Sequence, residues 1–199
     1  IPGIHLEGPH ISPMDGPRGA HAVKHVRPPA IRLFDRLFAA AGNKVIYTTV
    51  APDQPGIVPY IRSVVKRGVV VSLGHHAANA EQIAHAVDAG ATFCTHLGNG
   101  LASTIHRHQN PLWPQLANDA LAASVIADLH HLPPEMLKRI FIFPASGTSF
   151  YKYRNGSWNK IYAHELSPEQ KKAVFDAFEK TFKELSYIHP GKVYGEIIE

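Results

Sequence analysis

The chain of 199 residues lacks several features that mark particular protein classes. Its single cysteine, Cys94, excludes an internal disulfide and favours a reducing, cytoplasmic compartment. No run approaches about 18 consecutive apolar residues, so no membrane-spanning helix is expected. The net charge is only +4 and the basic residues are scattered, which argues against a nucleic-acid partner. The chain begins at Ile1 without methionine or a signal sequence, so we expect a cut or processed N-terminus.

Histidine is the residue in excess, and its distribution divides the chain. Of the 14 histidines, only His164 and His189 follow residue 140, whereas aromatic residues are concentrated after that point. Opposite biases of this kind predict two segments with different origins or tasks. We place the first at residues 1–139 and the second at residues 140–199.

The first segment alternates short apolar runs with amphipathic stretches. Helical patterns lie at 29–41, 57–66 and 79–89, the last with Asn79 as N-cap and Gly90 as its C-terminal stop. The apolar runs are of the buried-strand type and lie at 4–6, 44–50, 69–73, 91–95 and 122–127. This alternation predicts βαβ units and a parallel sheet of the α/β class.

The second segment has a different pattern, which predicts a smaller α+β unit. Residues 141–143 read as a strand, and Asn155-Gly156 between two aromatic runs is a β-hairpin signal. Ser167 then opens a helix as its N-cap. The apolar stripe of that helix indicates core packing and consists of Val174, Phe175, Phe178, Phe182 and Leu185.

Four polar clusters follow predicted strands of the first segment. They contain Glu7, His75, His96 and His131. Ligands of parallel sheets bind at the carboxyl ends of the strands, so these side chains are expected to meet. Two imidazoles and a carboxylate are zinc ligands, and a catalytic zinc site leaves one position open for water. The pattern therefore predicts Glu7, His75 and His96 as ligands of a divalent metal, most simply zinc, with His131 hydrogen-bonding a substrate.

Other residues leave alternatives open. Cys94 could be a ligand, although a small buried core residue is the better interpretation. His10, His21 and His25 lie in a loop rich in glycine and proline, where they either line a pocket mouth or are solvated. Arg107 could bind an anionic group such as a phosphate.

Five stretches of residues 1 to about 138 resemble one family in order and spacing. They are His5-Leu6-Glu7-Gly8-Pro9, Thr49-Val50-Ala51-Pro52, Ser72-Leu73-Gly74-His75, Thr95-His96-Leu97-Gly98-Asn99-Gly100 and Ile126-Ala127-Asp128-Leu129-His130-His131-Leu132-Pro133. They resemble the N-acetylglucosamine-6-phosphate deacetylases, which are metal-dependent amidohydrolases built on a TIM barrel. The resemblance implies a partial TIM-barrel-type (β/α) sheet and deacetylation of an N-acetyl amino-sugar phosphate.

The resemblance also implies roles for individual residues. The metal ligands would again be Glu7, His75 and His96. Asn99, Gly100 and Arg107 fall where the family contacts the sugar phosphate, and His131 falls where a histidine contacts the substrate. Family enzymes are commonly homodimers in which the phosphate-binding arginine reaches across the interface.

The chain departs from the family in three respects. Leu129 stands where the family usually has glycine, and full-length members run to nearly twice this length. The family's general acid/base is an aspartate after the last barrel strand, but residues 143–147 read Phe-Pro-Ala-Ser-Gly. Loss of that group should cost orders of magnitude in rate. Asp128 is the one nearby carboxylate that we nominate in place of that aspartate.

The second segment has a resemblance of its own. Residues 143–153 and the stretch from Ser167 to Glu196 look like an internal piece of a haloacid-dehalogenase-type sugar phosphatase. That family's Asp-x-Asp-Gly-Thr nucleophile motif does not occur in the sequence. Three readings therefore stand: a metal-dependent amide hydrolase, a non-catalytic chimera that retains a metal-binding constellation, and a phosphatase-related module, which the missing nucleophile disfavours.

Overall fold

The computed structural model describes residues 3–128, 130–132, 136, 141–142, 149–154, 157–163, 167–170, 172–173 and 176. The chain divides into two compact units, Ile1–Asp128 and Leu129–Glu199. The sequence-based division at 139/140 concerns the origin of the segments and stays a prediction.

The first unit is built on a five-stranded sheet whose order follows the chain. All neighbouring strands pair in parallel, which confirms the predicted α/β class. The strands are β1 (Ile4–Glu7), β2 (Val45–Val50), β3 (Val70–Leu73), β4 (Ala91–Cys94) and β5 (Ala122–Ala123). Strand β5 is shorter than the predicted run 122–127. Beyond Ala123, Ser124 N donates to Cys94 O, its carbonyl accepts from Leu97 N, and its hydroxyl accepts from His96 N.

Helices connect the strands, and the periodicity predicted the first three α-helices. They are α1 (Ile31–Ala40), α2 (Ile57–Val65), α3 (Ala80–Asp88) and α4 (Leu112–Leu116), with a short 3-10 helix at Val23–His25. Helix α3 begins with a capping box, in which Asn79 Oδ1 accepts from Gln82 N and Gln82 Oε1 accepts from Asn79 N, each at 2.9 Å. These two bonds satisfy donors that a helix start otherwise leaves unpaired.

The hydrophobic core lies between one face of the sheet and helices α1 to α3. Val71 and Leu73 of β3 pack there with Phe34, Ile61 and Val64, all fully buried. Successive side chains of a strand point to opposite faces. The other face therefore carries Tyr47, Thr49, Ser72 and Phe93, and the candidate site lies at its edge.

The second unit contains a three-stranded antiparallel sheet in the order β6-β7-β8. Its strands are β6 (Phe141–Ile142), β7 (Ser149–Arg154) and β8 (Ser157–Ala163). Arg154 pairs with Ser157 across the hairpin, although the predicted turn at 155–156 lies outside the described residues. Residues 168–170 are helical, and Ser167 Oγ accepts from Gln170 N at 3.2 Å as its N-cap.

Two other expectations for this unit fall outside the described residues. One is Phe143, the last residue of the first predicted strand; the other is the apolar helix stripe from Val174 to Leu185. No helix in the described part of the chain has the length and apolar character needed to span a bilayer.

Neighbouring valines of α2 test where the core lies. Val64 is fully buried, whereas 36% of Val65 is exposed. We expect Val64→Ala to lower the free energy of unfolding by about 2 kcal/mol, since two buried methyl groups are lost and a cavity remains. Val65→Ala makes the same helix-propensity change and should cost roughly 0.5 kcal/mol. Urea denaturation measures both, and equal losses would contradict the assigned core.

Candidate metal centre

Three side chains converge at the carboxyl ends of three strands. Glu7 ends β1, while His75 and His96 each follow the last residue of β3 and β4 by two positions. His75 Nε2 lies 2.5 Å from Glu7 Oε1, His96 Nε2 lies 3.2 Å from the same oxygen, and the two nitrogens are 3.0 Å apart. In the described part of the chain, this is the group of His, Cys, Asp or Glu side chains that could hold a metal ion.

Both histidines leave their strands in an uncommon backbone conformation. The φ angle is +54° at His75 and +35° at His96, in the left-handed region that costs non-glycine residues free energy. Neighbouring hydrogen bonds hold the two turns. Gly74 N donates to Val50 O at 3.0 Å, and His96 N donates to Ser124 Oγ at 2.8 Å. Strained residues of this kind cluster at functional sites.

The ring of His75 is oriented by a second hydrogen bond on its far side. Its Nδ1 lies 2.9 Å from the carbonyl oxygen of Pro17. Because a carbonyl oxygen only accepts, Nδ1 must carry a proton, and Nε2 is turned toward Glu7. Metal-binding histidines usually donate their other ring N–H in this way, which fixes the ring and its tautomer.

The donor set suits a divalent cation. Ligands about 2.0–2.1 Å from a tetrahedral ion lie roughly 3.3–3.4 Å apart, and the three contacts here span 2.5–3.2 Å. Two nitrogen lone pairs and a carboxylate oxygen repel one another at such distances unless protons or a cation lie among them. Hydrogen bonds from His75 and then His96 hold the pKa of the Glu7 carboxyl well below its usual range, against an opposing effect of partial burial. The carboxylate is therefore ionised and able to bind a metal at neutral pH.

A third imidazole lies beside this group. His21 Nε2 is 3.5 Å from Glu7 Oε1, and the rings of His21 and His75 meet edge to face at 4.7 Å. His21 and His25 line a cavity of about 420 Å³ that Glu7 also borders, which favours the pocket-mouth alternative over a solvated loop. His10 fits neither alternative, since it is buried with Nδ1 3.0 Å from Arg27 O.

Of the predicted substrate contacts, two lie next to the metal ligands. Asn99 N donates to His96 O at 2.8 Å within one turn. A Cβ atom on Gly100 would lie 2.9 Å from His75 Nδ1, so the backbone at Gly100 lies directly against that ring. Arg107 is exposed, and its carbonyl oxygen accepts from Trp113 Nε1 at 2.8 Å. The substrate-binding roles of all three residues stay predictions.

The predicted catalytic residues lie close in sequence to residue 128, where the first unit ends. Asp128 is the last residue of the first unit, and His131 belongs to the second; both are exposed. Their catalytic roles stay predictions. Cys94 is buried in β4, and burial raises the pKa of its thiol to about 11, so it stays protonated and is a poor ligand.

Comparison with known proteins gives relatives of one kind. No family model matches the chain. An N-acetylglucosamine-6-phosphate deacetylase of Bacillus subtilis is 33% identical over 147 residues, covering 74% of this chain and 36% of the relative. An N-acetylgalactosamine-6-phosphate deacetylase of a Shewanella species is 32% identical over 149 residues, with 74% and 36% covered. The crystal structure of N-acetyl-D-glucosamine-6-phosphate deacetylase from Mycobacterium smegmatis superposes with a TM-score of 0.63 at 33% identity, over 70% of this chain and 36% of that one.

The parallel α/β sheet and the cluster at its edge thus define a relative of the amidohydrolases. More particularly, the chain is homologous over most of its length to the N-acetylglucosamine-6-phosphate deacetylases. It spans about a third of the length of the curated relatives it matches.

Two glycines of one loop test the packing around His75. Gly98 and Gly100 both have positive φ, but only a Cβ at Gly100 would meet other atoms within 4 Å. Each change to alanine should cost about 1–2 kcal/mol for the left-handed backbone. Gly100→Ala should cost at least about 1 kcal/mol more, because it must displace the His75 ring. Urea denaturation of Gly98→Ala and Gly100→Ala measures the difference, and equal losses would contradict the packing.

Proposed function

We propose that this chain carries the metal centre of a deacetylase that acts on an N-acetyl amino-sugar phosphate. The convergence of Glu7, His75 and His96 within about 3 Å is the observation that carries the proposal. The homology to deacetylases supports the reaction class: hydrolysis of an acetamide to acetate and a free amine.

Glu7, His75 and His96 would hold a divalent ion, and zinc is the best match to two imidazoles and one carboxylate. Such an ion polarises a carbonyl group and makes water a better nucleophile at neutral pH. Glu7 supplies the negative charge that favours a cation. The Pro17 carbonyl holds the His75 ring in the orientation that presents Nε2.

The substrate would be held through its phosphate. Asn99 and Gly100 follow His96 in the same loop, and Arg107 provides a cation suited to bidentate phosphate binding. The relatives include enzymes named for both N-acetylglucosamine and N-acetylgalactosamine 6-phosphates. We therefore assign the class of substrate and leave the sugar epimer open.

Protonation of the leaving amine requires an acid. Residues 143–147 carry no aspartate where the related enzymes have one. His131 would contact the substrate, and Asp128 would be the acid. If neither can replace the aspartate, the chain is a non-catalytic chimera that binds metal without turnover.

Three further proposals rest on sequence. Residues 140–199 would be a fragment related to haloacid-dehalogenase-type sugar phosphatases, joined to the deacetylase segment 1–139. The protein would form a homodimer, as related deacetylases commonly do, in which Arg107 reaches the site of the partner. A cytoplasmic location fits the single cysteine and a phosphorylated substrate.

Metal binding tests the assigned ligands. Glu7→Gln with His96→Ala removes two of three ligands, and we expect tight zinc binding to be lost in a chelator-competition titration. Glu81→Gln with His85→Ala makes the same chemical changes at exposed positions of α3 and should bind zinc as the parent does. Parent-like binding by the first double variant would show that the ion binds elsewhere.

Activity tests the reaction. The parent, loaded with zinc, is assayed for acetate release from N-acetylglucosamine 6-phosphate and N-acetylgalactosamine 6-phosphate, with and without a chelator. Turnover that the chelator abolishes is the expected result for a deacetylase. Zinc binding without acetate release would instead establish the non-catalytic alternative.

A further inference from the structure

A row of polar side chains, buried at Thr49, Ser72 and Thr95 and half-buried at His5, crosses the sheet next to the candidate metal centre. His5 Nε2 lies 2.7 Å from Thr49 Oγ1, Thr49 Oγ1 lies 2.6 Å from Thr95 Oγ1, and Thr95 Oγ1 lies 2.6 Å from Ser72 Oγ. These residues belong to or directly follow strands β1 to β4, which run in parallel. A continuous hydrogen-bonded chain thus links the four strands.

Thr95 joins two other hydroxyl groups in this chain, those of Thr49 and Ser72, whereas Thr49 joins one hydroxyl group and the His5 ring. A hydroxyl group has one proton to donate and two lone pairs to accept with. Thr95 Oγ1 can therefore donate to only one of Thr49 and Ser72, and the other must donate to it. Thr49 and Ser72 are fully buried, so water cannot readily replace a lost partner, and unsatisfied buried polar groups are costly.

The chain lies next to both candidate histidine ligands. Thr95 immediately precedes His96, and Thr95 N donates to Leu73 O at 2.8 Å, two residues before His75. The space is tight: a Cβ on Gly74 would lie 2.8 Å from Thr49 Cγ2 and 3.1 Å from Thr95 Cβ. A small displacement of Thr95 would therefore move the start of both left-handed turns that aim the imidazoles.

The same row extends to the strand that carries the carboxylate. Glu7 is the register partner of Thr49 in the β1–β2 ladder, and Gly8 N donates to Thr49 O at 3.2 Å. His5, two residues before Glu7 on the same face of β1, stacks on Tyr47 with ring centroids 3.8 Å apart. Every strand that delivers a candidate ligand thus has a side chain in this row.

We propose that Thr95 is a positioning residue for the metal centre. Its hydroxyl binds Thr49 and Ser72 together at the ends of their strands, and this sets the distances among Glu7, His75 and His96. The inference rests on the proposed metal site and assigns to it a support that contacts neither metal nor substrate. Residues that orient ligands through hydrogen bonds typically change metal affinity by 10–100-fold when replaced.

Thr95→Val tests the role of the hydroxyl, since valine keeps the branched shape. We expect its zinc dissociation constant, measured by chelator competition, to rise by about 10–100-fold. The visible spectrum of the Co²⁺ form should change as well, because the ligand geometry changes. Thr95→Ser restores the hydroxyl and should return both readouts close to those of the parent. Parent-like affinity in Thr95→Val, or equal weakening in Thr95→Ser, would overturn the proposal.

Thr48→Val is the matched control for loss of a buried hydroxyl. Thr48 is fully buried in β2, and its Oγ1 donates to Leu6 O at 2.9 Å, but it points to the helix face of the sheet. Its replacement should lower the urea midpoint and leave zinc affinity unchanged. A weakening equal to that of Thr95→Val would show a general effect of strand stability and contradict the positioning role.

Two further variants test the positioning role even if Thr95→Val does not fold. If Thr95→Val does not fold, Ser72→Ala removes one partner of the same hydroxyl and should weaken zinc binding by about tenfold; parent-like affinity there would overturn the proposal. The variant Glu7→Gln with His96→Ala distinguishes failure of the metal site from failure of the positioning role. If it binds zinc like the parent, the site itself is wrong; if it loses zinc while Thr95→Val does not, only the positioning role fails.

Discussion

Electrostatic repulsion among three ligand atoms is the constraint on which the rest of the first unit depends. One carboxylate oxygen and two imidazole nitrogens lie 2.5–3.2 Å apart, at the ends of separate strands. Such an arrangement is unfavourable unless protons or a cation lie among the atoms, so the fold must hold it together. Parallel pairing of β1 to β4 brings the three strand ends to one edge, and the left-handed turns at His75 and His96 aim both rings inward.

Much of this arrangement could be predicted because its signals are local. Apolar runs and amphipathic stretches alternate along the chain, and each strand-end motif places its polar residue at a fixed offset from a strand. Asn79 was predicted as the N-cap of α3, and in the structure it caps that helix and forms a capping box with Gln82. A parallel sheet brings its strand ends to one edge, so ligands far apart in sequence could be expected to meet.

The supporting contacts could not be predicted, because they depend on loop paths and on register. Nothing local indicates that the Pro17 carbonyl would reach His75 Nδ1 across 58 residues, or that His21 would approach Glu7. The hydroxyl row through Thr95 requires the pairing register of four strands, which the pattern leaves free. The predicted strand at 122–127 was too long for a related reason. Ser124 lies between Ala123 and Val125 and was counted within the apolar run, but its hydroxyl accepts from His96 N.

We expect one metal ion to be bound jointly by Glu7, His75 and His96. Anomalous diffraction at the zinc edge, on crystals of the zinc-loaded full chain, tests it most directly. The account predicts a single strong peak about 2.0–2.2 Å from a Glu7 carboxylate oxygen and from Nε2 of both histidines. A peak at other residues, or none between these three side chains at saturating zinc, would contradict it.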